Sequence, residues 1–195
     1  MSADAVSYVS RGGLKLAAAL DHFAVDVQDQ VCADLGSHVG GFVDCLLRRG
    51  AKRVFSVDTS YGTLAWKLRR DPRVVVMERT NAMHATLPEP AGVVTIDLGW
   101  TTQACVLPNV AKLMSPAGQV VSLIKPHYEA PKASLVEGVL PEELVEGVVD
   151  DVLGRITAAG WIVQGTMTSP ICGHGGNREV FTLLRRPQPD SDRAD

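Results

Sequence analysis

Asp34 and Asp58 flank a glycine-rich segment whose spacing is typical of a nucleoside site. The segment reads Asp34-Leu35-Gly36-Ser37-His38-Val39-Gly40-Gly41, and its glycines let the backbone approach a ligand closely. Asp58 follows about 20 residues beyond these glycines, where a carboxylate can accept hydrogen bonds from both ribose hydroxyls. The pattern indicates a strand, a loop and a helix that hold a nucleoside, with a ligand-free tight turn as the structural alternative.

The spacing of the glycines narrows the choice of nucleoside. G-x-x-x-G-G differs from the G-x-G-x-x-G pattern that places a pyrophosphate on a helix N-terminus, so adenosine without phosphates fits better. S-adenosylmethionine combines a ribose, a flat base and a zwitterionic amino acid, and it needs no phosphate cradle. We therefore predict S-adenosylmethionine as the cofactor and S-adenosylhomocysteine as the product formed from it.

Composition limits the classes of protein that fit. A chain of 195 residues with 46% hydrophobic content is sufficient for one core. Its formal charge of −3 gives no overall attraction to RNA, so any nucleic-acid site must be local. The four cysteines form no C-x-x-C pair, and the histidines lack metal-ligand spacing, so we expect reduced thiols and no metal. No signal peptide or apolar span is evident, which predicts a cytoplasmic protein without membrane contact.

Short apolar runs alternate with segments of helical period, which predicts a parallel α/β sheet. The predicted helices are 12–22, 41–49, 62–70, 103–114 and 141–159, and the predicted strands are 31–35, 53–57, 74–77, 93–97, 119–125, 161–168 and 179–184. The last two strands are too close in sequence for a helical crossover and should pair antiparallel. We therefore expect one domain over residues 8–186 with a seven-stranded, mostly parallel sheet and one antiparallel strand, between flexible tails at 1–7 and 187–195.

Four charged residues fall where this fold places its functional edge. Asp97 and Lys125 end two predicted strands, Glu179 begins the reversed strand, and Lys15 lies in the first helix. Ligands in open α/β sheets bind at the carboxyl ends of the strands, and a reversed strand begins at that same edge. A single charge at a strand end is often only solvated, but the four together indicate a reaction centre.

Several motifs resemble the FtsJ-type RNA ribose methyltransferases, and among them the TlyA, or hemolysin-like, branch. They are Tyr8-Val9-Ser10-Arg11-Gly12-Gly13-Leu14-Lys15-Leu16, Ile96-Asp97, Ile124-Lys125-Pro126 and Gly176-Asn177-Arg178-Glu179, with further matches at 41–47, 61–69 and 79–81. The resemblance implies a Rossmann-like class I methyltransferase with a Lys-Asp-Lys-Glu catalytic tetrad, here Lys15, Asp97, Lys125 and Glu179. In such a site, Lys125 beside Asp97 would orient a ribose hydroxyl and help to remove its proton.

The glycine loop and the resemblance together give a set of expected cofactor contacts. These residues are Asp34, Gly36, Ser37, His38, Gly40, Gly41, Phe42, Asp58, Thr59, Asn81 and Asp97. The resemblance begins at Tyr8, so the amino-terminal RNA-binding module of the TlyA branch is expected to be lacking.

Three functions remain open at this point. The first is methylation of an RNA ribose, with recognition supplied by a partner or by the ribosomal subunit. The second is methylation of a small-molecule hydroxyl. It is favoured by the acidic net charge and by the residues after Asp97 and Lys125, which differ from those usual in the family that the chain resembles. The third is S-adenosylmethionine binding without methylation.

Trp100 and Tyr128 follow the predicted catalytic residues and are candidates to stack a planar substrate. Basic clusters at 48–53 and 67–73 either bind phosphates or complement helix ends.

Overall fold

A seven-stranded sheet forms the centre of the protein, whose computed structural model describes residues 8–187. The strands are β1 (Val31–Leu35), β2 (Arg53–Val57), β3 (Val74–Met77), β4 (Ala91–Ile96), β5 (Met114–Ile124), β6 (Ile162–Thr168) and β7 (Val180–Arg185). They lie in the order β3-β2-β1-β4-β5-β7-β6, and β7 is antiparallel to both of its neighbours. The predicted fold class is therefore confirmed.

Helices cover both faces of this sheet. They are α1 (Arg11–His22), α2 (Gly41–Arg48), α3 (Trp66–Arg69), α4 (Gln103–Leu113), α5 (Pro126–Glu129) and α6 (Glu142–Ala158), with 3₁₀ turns at Lys132–Ser134 and His174–Gly176. Leu16 of α1 and Phe42 of α2 belong to the core on one face, whereas Leu107 of α4 and Ile156 of α6 belong to the core on the other. Burial on both faces explains why the central strands are almost continuously apolar.

The first helix carries Lys15 and has a well-defined start. Ser10 is its N-cap, with an extended backbone and a hydroxyl that accepts a hydrogen bond from the Gly12 N–H at 3.3 Å. Leu16 and Leu20 of α1 are buried against the sheet at helical spacing. The cap and this apolar stripe fix the helix, and Lys15 lies half-buried at its amino-terminal end.

The largest departure from the predicted elements is the helix expected over 62–70. Only Trp66–Arg69 is helical, because Gly62 has φ +75° and Ala65, with ψ +135°, is not helical immediately before the helix. The fifth strand begins at Met114 rather than at 119, and its first part, next to Ala91, is separated from the main ladder by a register shift. Alternating apolar patterns do not reveal such irregular pairing, since it depends on the neighbouring strand.

Strand ends place the candidate site at one edge of the sheet. Asp97 directly follows β4, Lys125 directly follows β5, and Glu179 directly precedes the antiparallel β7. Apart from Pro187, the predicted flexible tails lie outside the described residues. None of the helices described is both long and apolar enough to cross a membrane.

Candidate functional site

Lys125 and Asp97 form an ion pair at the ends of adjacent parallel strands. Lys125 Nζ lies 2.6 Å from Asp97 Oδ1, and the two side chains are 18% and 26% exposed. A cation and a carboxylate are therefore held in direct contact at the functional edge.

Lys15 and Glu179 form a second, more buried pair. Lys15 Nζ donates a hydrogen bond of 2.6 Å to Glu179 Oε2, and the side chains are 11% and 4% exposed. A Cβ at Gly173 would collide with the Glu179 carboxylate, so this glycine lets the loop before β7 pack directly on it. The buried pair fixes both charges, because separating them would leave each uncompensated.

The glycine loop passes close to Asp97. Gly36 has φ +92°, and a Cβ there would collide with the carbonyl oxygen of Asp97. Its N–H donates to the Val57 carbonyl at 2.8 Å, which ties the loop to the end of β2. A residue without a Cβ is required here because of both the positive φ and the close approach.

Asp58 is an ionised hydrogen-bond acceptor at the end of β2. Its Oδ2 accepts from the His38 N–H and its Oδ1 accepts from the Ser60 N–H, both at 2.7 Å. Burial opposes ionisation, but hydrogen bonds from Ser60 and His38 outweigh it and lower the pKa of Asp58. The carboxylate is thus held in a fixed orientation by backbone N–H groups, one of which belongs to the glycine loop.

Asp34 has an unsatisfied oxygen inside the protein. Oδ1 accepts from Thr95 Oγ1 at 2.7 Å, whereas the buried Oδ2 has no partner among the described residues. Complete burial, helped by the nearby charges of Asp97 and Asp58, outweighs the opposing Thr95 hydrogen bond and raises the pKa of Asp34 to about 8. Unpartnered buried polar atoms are rare in folded proteins, and Asp34 lines a cavity.

Two cavities meet at Asp97. The first, of about 220 Å³, lies between the glycine loop and the start of α1 and includes Lys15 and Asp34 in its wall. The second, of about 540 Å³, is bordered by Asp58, Lys125 and the loop after Asp97. Gly36, His38 and Asp97 line both cavities. The site is therefore a cleft with two arms and a carboxylate at their junction.

A family comparison agrees with this geometry, since the model of the FtsJ-like methyltransferases matches residues 8–186. The chain belongs to the FtsJ-like methyltransferase family. The enzymes of this family depend on S-adenosylmethionine, which agrees with the nucleoside site inferred from the sequence.

Relatives of known sequence or structure cover nearly all of this FtsJ-like chain. It is 43% identical to YqxC of Bacillus subtilis, over 92% of this chain and 66% of that protein. It is 42% identical to the 16S/23S rRNA (cytidine-2′-O)-methyltransferase TlyA of Mycobacterium tuberculosis, over 96% of this chain and 71% of TlyA. A crystal structure of a hemolysin-type protein from Lactococcus lactis superposes with a TM-score of 0.90 at 36% identity, covering 94% of this chain and 91% of that one.

Most of the predicted cofactor residues of this FtsJ-like domain line the two arms. Asp34, Ser37, Gly41 and Phe42 line the first arm, Asp58, Thr59 and Asn81 line the second, and Gly36, His38 and Asp97 line both. Gly40 lines neither; it has φ +96° and packs on Leu68 and Leu64, so its role is to start α2. Two of the lining side chains also have internal partners: Ser37 Oγ accepts from Ser56 Oγ at 2.7 Å, and Phe42 stacks on Phe181.

The sequence did not predict that the start of α1 would form a wall of the site. Ser10, Arg11 and Gly12 line the first arm beside Lys15. The available signal was a capping serine directly before an amphipathic helix, which marks a helix start. The positive end of the helix dipole and the Arg11 guanidinium make this arm suitable for an anionic group.

Trp100 and Tyr128 form an aromatic surface beside Lys125. Their ring centroids are 4.6 Å apart, Trp100 is 81% exposed, and Lys125 Nζ lies 6.0 Å from the Tyr128 ring centroid. Glu129 holds α5 in place, because its Oε1 accepts from the Gln103 N–H at 2.8 Å and its Oε2 accepts from Arg155 at 3.1 Å. The loops after the two candidate catalytic residues are thereby braced against each other.

The basic clusters are largely neutralised within the protein. The pairs are Arg48 and Lys67 with Asp44, Arg49 with Asp21, Arg53 with Glu89, Arg69 with Glu78, and Arg73 with Asp71. Such partners reduce the charge available to phosphates, so the helix-end interpretation of these clusters gains support over RNA binding.

Proposed function

We propose that this protein transfers a methyl group from S-adenosylmethionine to the 2′-hydroxyl of a ribose in ribosomal RNA. The 42% identity to an enzyme named for cytidine 2′-O-methylation of rRNA supports this acceptor. The observation that carries the proposal is the 2.6 Å pair of Lys125 and Asp97 at the junction of the two arms. There, a lysine can meet an acceptor hydroxyl next to a bound nucleoside.

The residues present fit the methyl donor. Asp58 is fixed as an acceptor for the ribose hydroxyls, and the unpartnered Oδ2 of Asp34 offers a polar contact in the first arm. Arg11 and the start of α1 suit the carboxylate of the amino acid part, and Asn81 borders the arm where the base would lie. When bound, S-adenosylmethionine supplies a methyl group already activated for attack by an oxygen nucleophile.

The protein must align the acceptor hydroxyl and manage its proton. In the proposed reaction, the 2′-oxygen would form a bond to the methyl carbon as the carbon–sulfur bond breaks and S-adenosylhomocysteine leaves. The hydroxyl proton would pass to Lys125 Nζ after that group has given up a proton to water. Asp97 then pairs with the resulting ammonium. Lys15 lies in the wall of the first arm, as Asp97 does, and its charge is neutralised by Glu179. The ion pair with Glu179 keeps the Lys15 ammonium in a fixed position. Alignment of two bound reactants is worth about 7–11 kcal/mol, so positioning carries much of the catalysis.

Trp100 and Tyr128 are the proposed contacts for the acceptor. An exposed tryptophan that packs at a tilt against a tyrosine beside Lys125 offers a flat apolar surface for a base. Stacking of one base on an aromatic side chain is worth about 1–3 kcal/mol and tolerates different sequences. The ribosomal particle would then provide specificity through its folded shape.

A small-molecule hydroxyl is the second candidate acceptor. It is favoured by the formal charge of −3 and by the ion pairs that neutralise much of the basic surface. The same tetrad would serve either acceptor.

Transfer of tritiated methyl groups to isolated rRNA and to intact ribosomal subunits tests the proposal. We expect the wild-type protein to label RNA, Lys125→Ala to label none, and Lys112→Ala, at an exposed helical position, to match the wild type. If S-adenosylmethionine binds but neither RNA substrate is labelled, RNA is not the acceptor.

A further inference from the structure

Asn177 is a buried side chain that connects two loops distant in sequence. Its Oδ1 accepts a hydrogen bond from the Leu140 N–H at 3.0 Å, and its Nδ2 donates to the carbonyls of Gly138 and His174, both at 3.1 Å. Asn177 is 4% exposed. One amide group therefore satisfies a donor and two acceptors in a place with little access to water.

One of the connected loops leads from Lys125 into α6. Residues 136–139 form a tight hairpin, in which Val136 and Val139 exchange backbone hydrogen bonds of 2.8 and 2.9 Å. Glu137 and Gly138 at its tip have φ +50° and +82°, the left-handed pair that closes a two-residue hairpin. Leu140 follows and is buried, so the bond from Asn177 holds the hairpin where it enters the protein.

The other loop carries Glu179. The Asn177 carbonyl accepts from the Gly173 N–H at 2.8 Å, and the Ser169 N–H donates to the Glu179 carbonyl at 2.9 Å. These bonds close the loop on itself. Gly173 packs against the Glu179 carboxylate so tightly that a Cβ would collide with it. The position of the carboxylate thus depends on the path that the loop takes between Gly173 and Asn177.

We propose that Asn177 is a positioning residue that holds Glu179 against Lys15 by fastening its loop to the hairpin over residues 136–139. This inference rests on the proposed function, because it assigns Glu179 to the catalytic site. An amide is required at this position, since the Leu140 N–H needs an acceptor while the two carbonyls need donors. An aspartate has the same shape, but the oxygen that replaces Nδ2 cannot donate a hydrogen bond when the carboxyl is ionised. This oxygen would face the two carbonyl oxygens.

Single-turnover methyl transfer to ribosomal subunits, with saturating S-adenosylmethionine, tests the coupling through a double-mutant cycle. The cycle comprises the wild type, Asn177→Asp, Glu179→Gln and the double variant. We expect Asn177→Asp to slow transfer about 10- to 100-fold, the range caused by small misplacements of catalytic groups. If Asn177 acts through Glu179, the double variant is no slower than Glu179→Gln alone. Losses that multiply in the double variant overturn the proposal.

Arg178→Gln is the matched control in the same loop. Arg178 pairs with Glu142 at 2.7 Å, and both side chains are largely exposed, so loss of this pair should leave the rate within about twofold. All variants are compared well below their thermal unfolding midpoints. If Asn177→Asp does not fold, Asn177→Ala takes its place in the cycle, because it removes the three bonds without adding charge.

Amide hydrogen exchange tests the connection without any substrate. We expect the backbone amide hydrogens of residues 136–140 and 172–179 to exchange faster in Asn177→Asp than in Arg178→Gln. Unchanged exchange at 136–140 overturns the proposal even if activity falls. A wild-type protein that exchanges as expected but does not methylate RNA would instead contradict the proposed function.

Discussion

Asp97 and Lys125 directly follow two adjacent parallel strands, and this placement brings their charges together. The register pairs Ile96 of β4 with Ser122 of β5, so both strands end at the same edge of the sheet. The ends of apolar runs are visible in a sequence, and they are sufficient to predict that Asp97, Lys125 and Glu179 lie at this edge. The 2.6 Å contacts of these residues depend on tertiary packing and are visible only in the structure.

At Asp58, we expect replacement by asparagine to weaken S-adenosylmethionine binding about 10- to 100-fold. Both carboxylate oxygens accept backbone N–H groups, and an amide nitrogen can replace neither acceptor. Loss of hydrogen bonds to a charged group is worth about 1.5–3 kcal/mol. Isothermal titration calorimetry measures the change, with Asp26→Asn, an exposed aspartate that accepts the Gln28 N–H, as control. Equal affinities of the two variants would contradict a cofactor role for Asp58.

At Asp34, we expect a stability effect that depends on pH. Burial raises its folded-state pKa from an ordinary 3.8 to about 8, so the folded protein holds a proton that the unfolded chain releases. Stability from this group is therefore complete below about pH 4 and declines as the pH rises towards 8. The substitution Asp34→Asn would imitate the protonated carboxyl and remove this dependence.

Urea unfolding of the ligand-free protein at several pH values checks this expectation. The stability of Asp34→Asn relative to the wild type should rise steadily between about pH 4 and 8. A constant difference between the two proteins over this range would show that Asp34 is already ionised near its ordinary pKa.

The elements at the functional edge depend on close backbone approach, as the glycine loop after β1 shows. We expect Gly36→Ala to destabilise the protein by more than about 1 kcal/mol and to abolish cofactor binding, because of its positive φ and its contact with Asp97. Gly147→Ala is the matched change within α6, where a Cβ meets no neighbour, and it should stabilise by up to about 1 kcal/mol. Urea unfolding of both variants provides the measurement. Similar effects at the two positions would contradict a strained loop.

The loops after β4 and β5 carry the acceptor surface. We expect Trp100→Ala to raise the KM for RNA about tenfold or more without changing the affinity for S-adenosylmethionine, because it removes a stacking surface. Trp66→Ala is the control, since Trp66 is 69% exposed in α3 and lines neither arm of the cleft. Steady-state kinetics with ribosomal subunits measures both. If Trp100→Ala leaves the KM unchanged, the aromatic pair does not bind the acceptor.

At the scale of the whole molecule, the order of apolar runs is sufficient to predict the sheet and its reversed strand. Long periodic segments such as α6 are predicted to within a residue at each end. The role of Asn177 is not predictable, since its partners Gly138 and Leu140 lie 39 and 37 residues away. For the same reason, the sequence does not reveal that the start of α1 forms a wall of the site. The residues that face it across the first arm belong to the glycine loop, which is distant in sequence.

The charge balance of the described surface bears on the acceptor. Many cations that could face phosphates are paired with carboxylates, so the proposed RNA contact relies on aromatic stacking and the shape of the acceptor more than on net charge.

Nucleoside analysis of rRNA after incubation with S-adenosylmethionine tests the proposed ribose methylation most directly. Digestion to nucleosides followed by mass spectrometry separates ribose methylation from base methylation. We predict a new 2′-O-methyl nucleoside in ribosomal subunits treated with the wild-type protein and none after treatment with Lys125→Ala. A methyl group on a base, or a 2′-O-methyl nucleoside formed equally by Lys125→Ala, would contradict the proposed reaction.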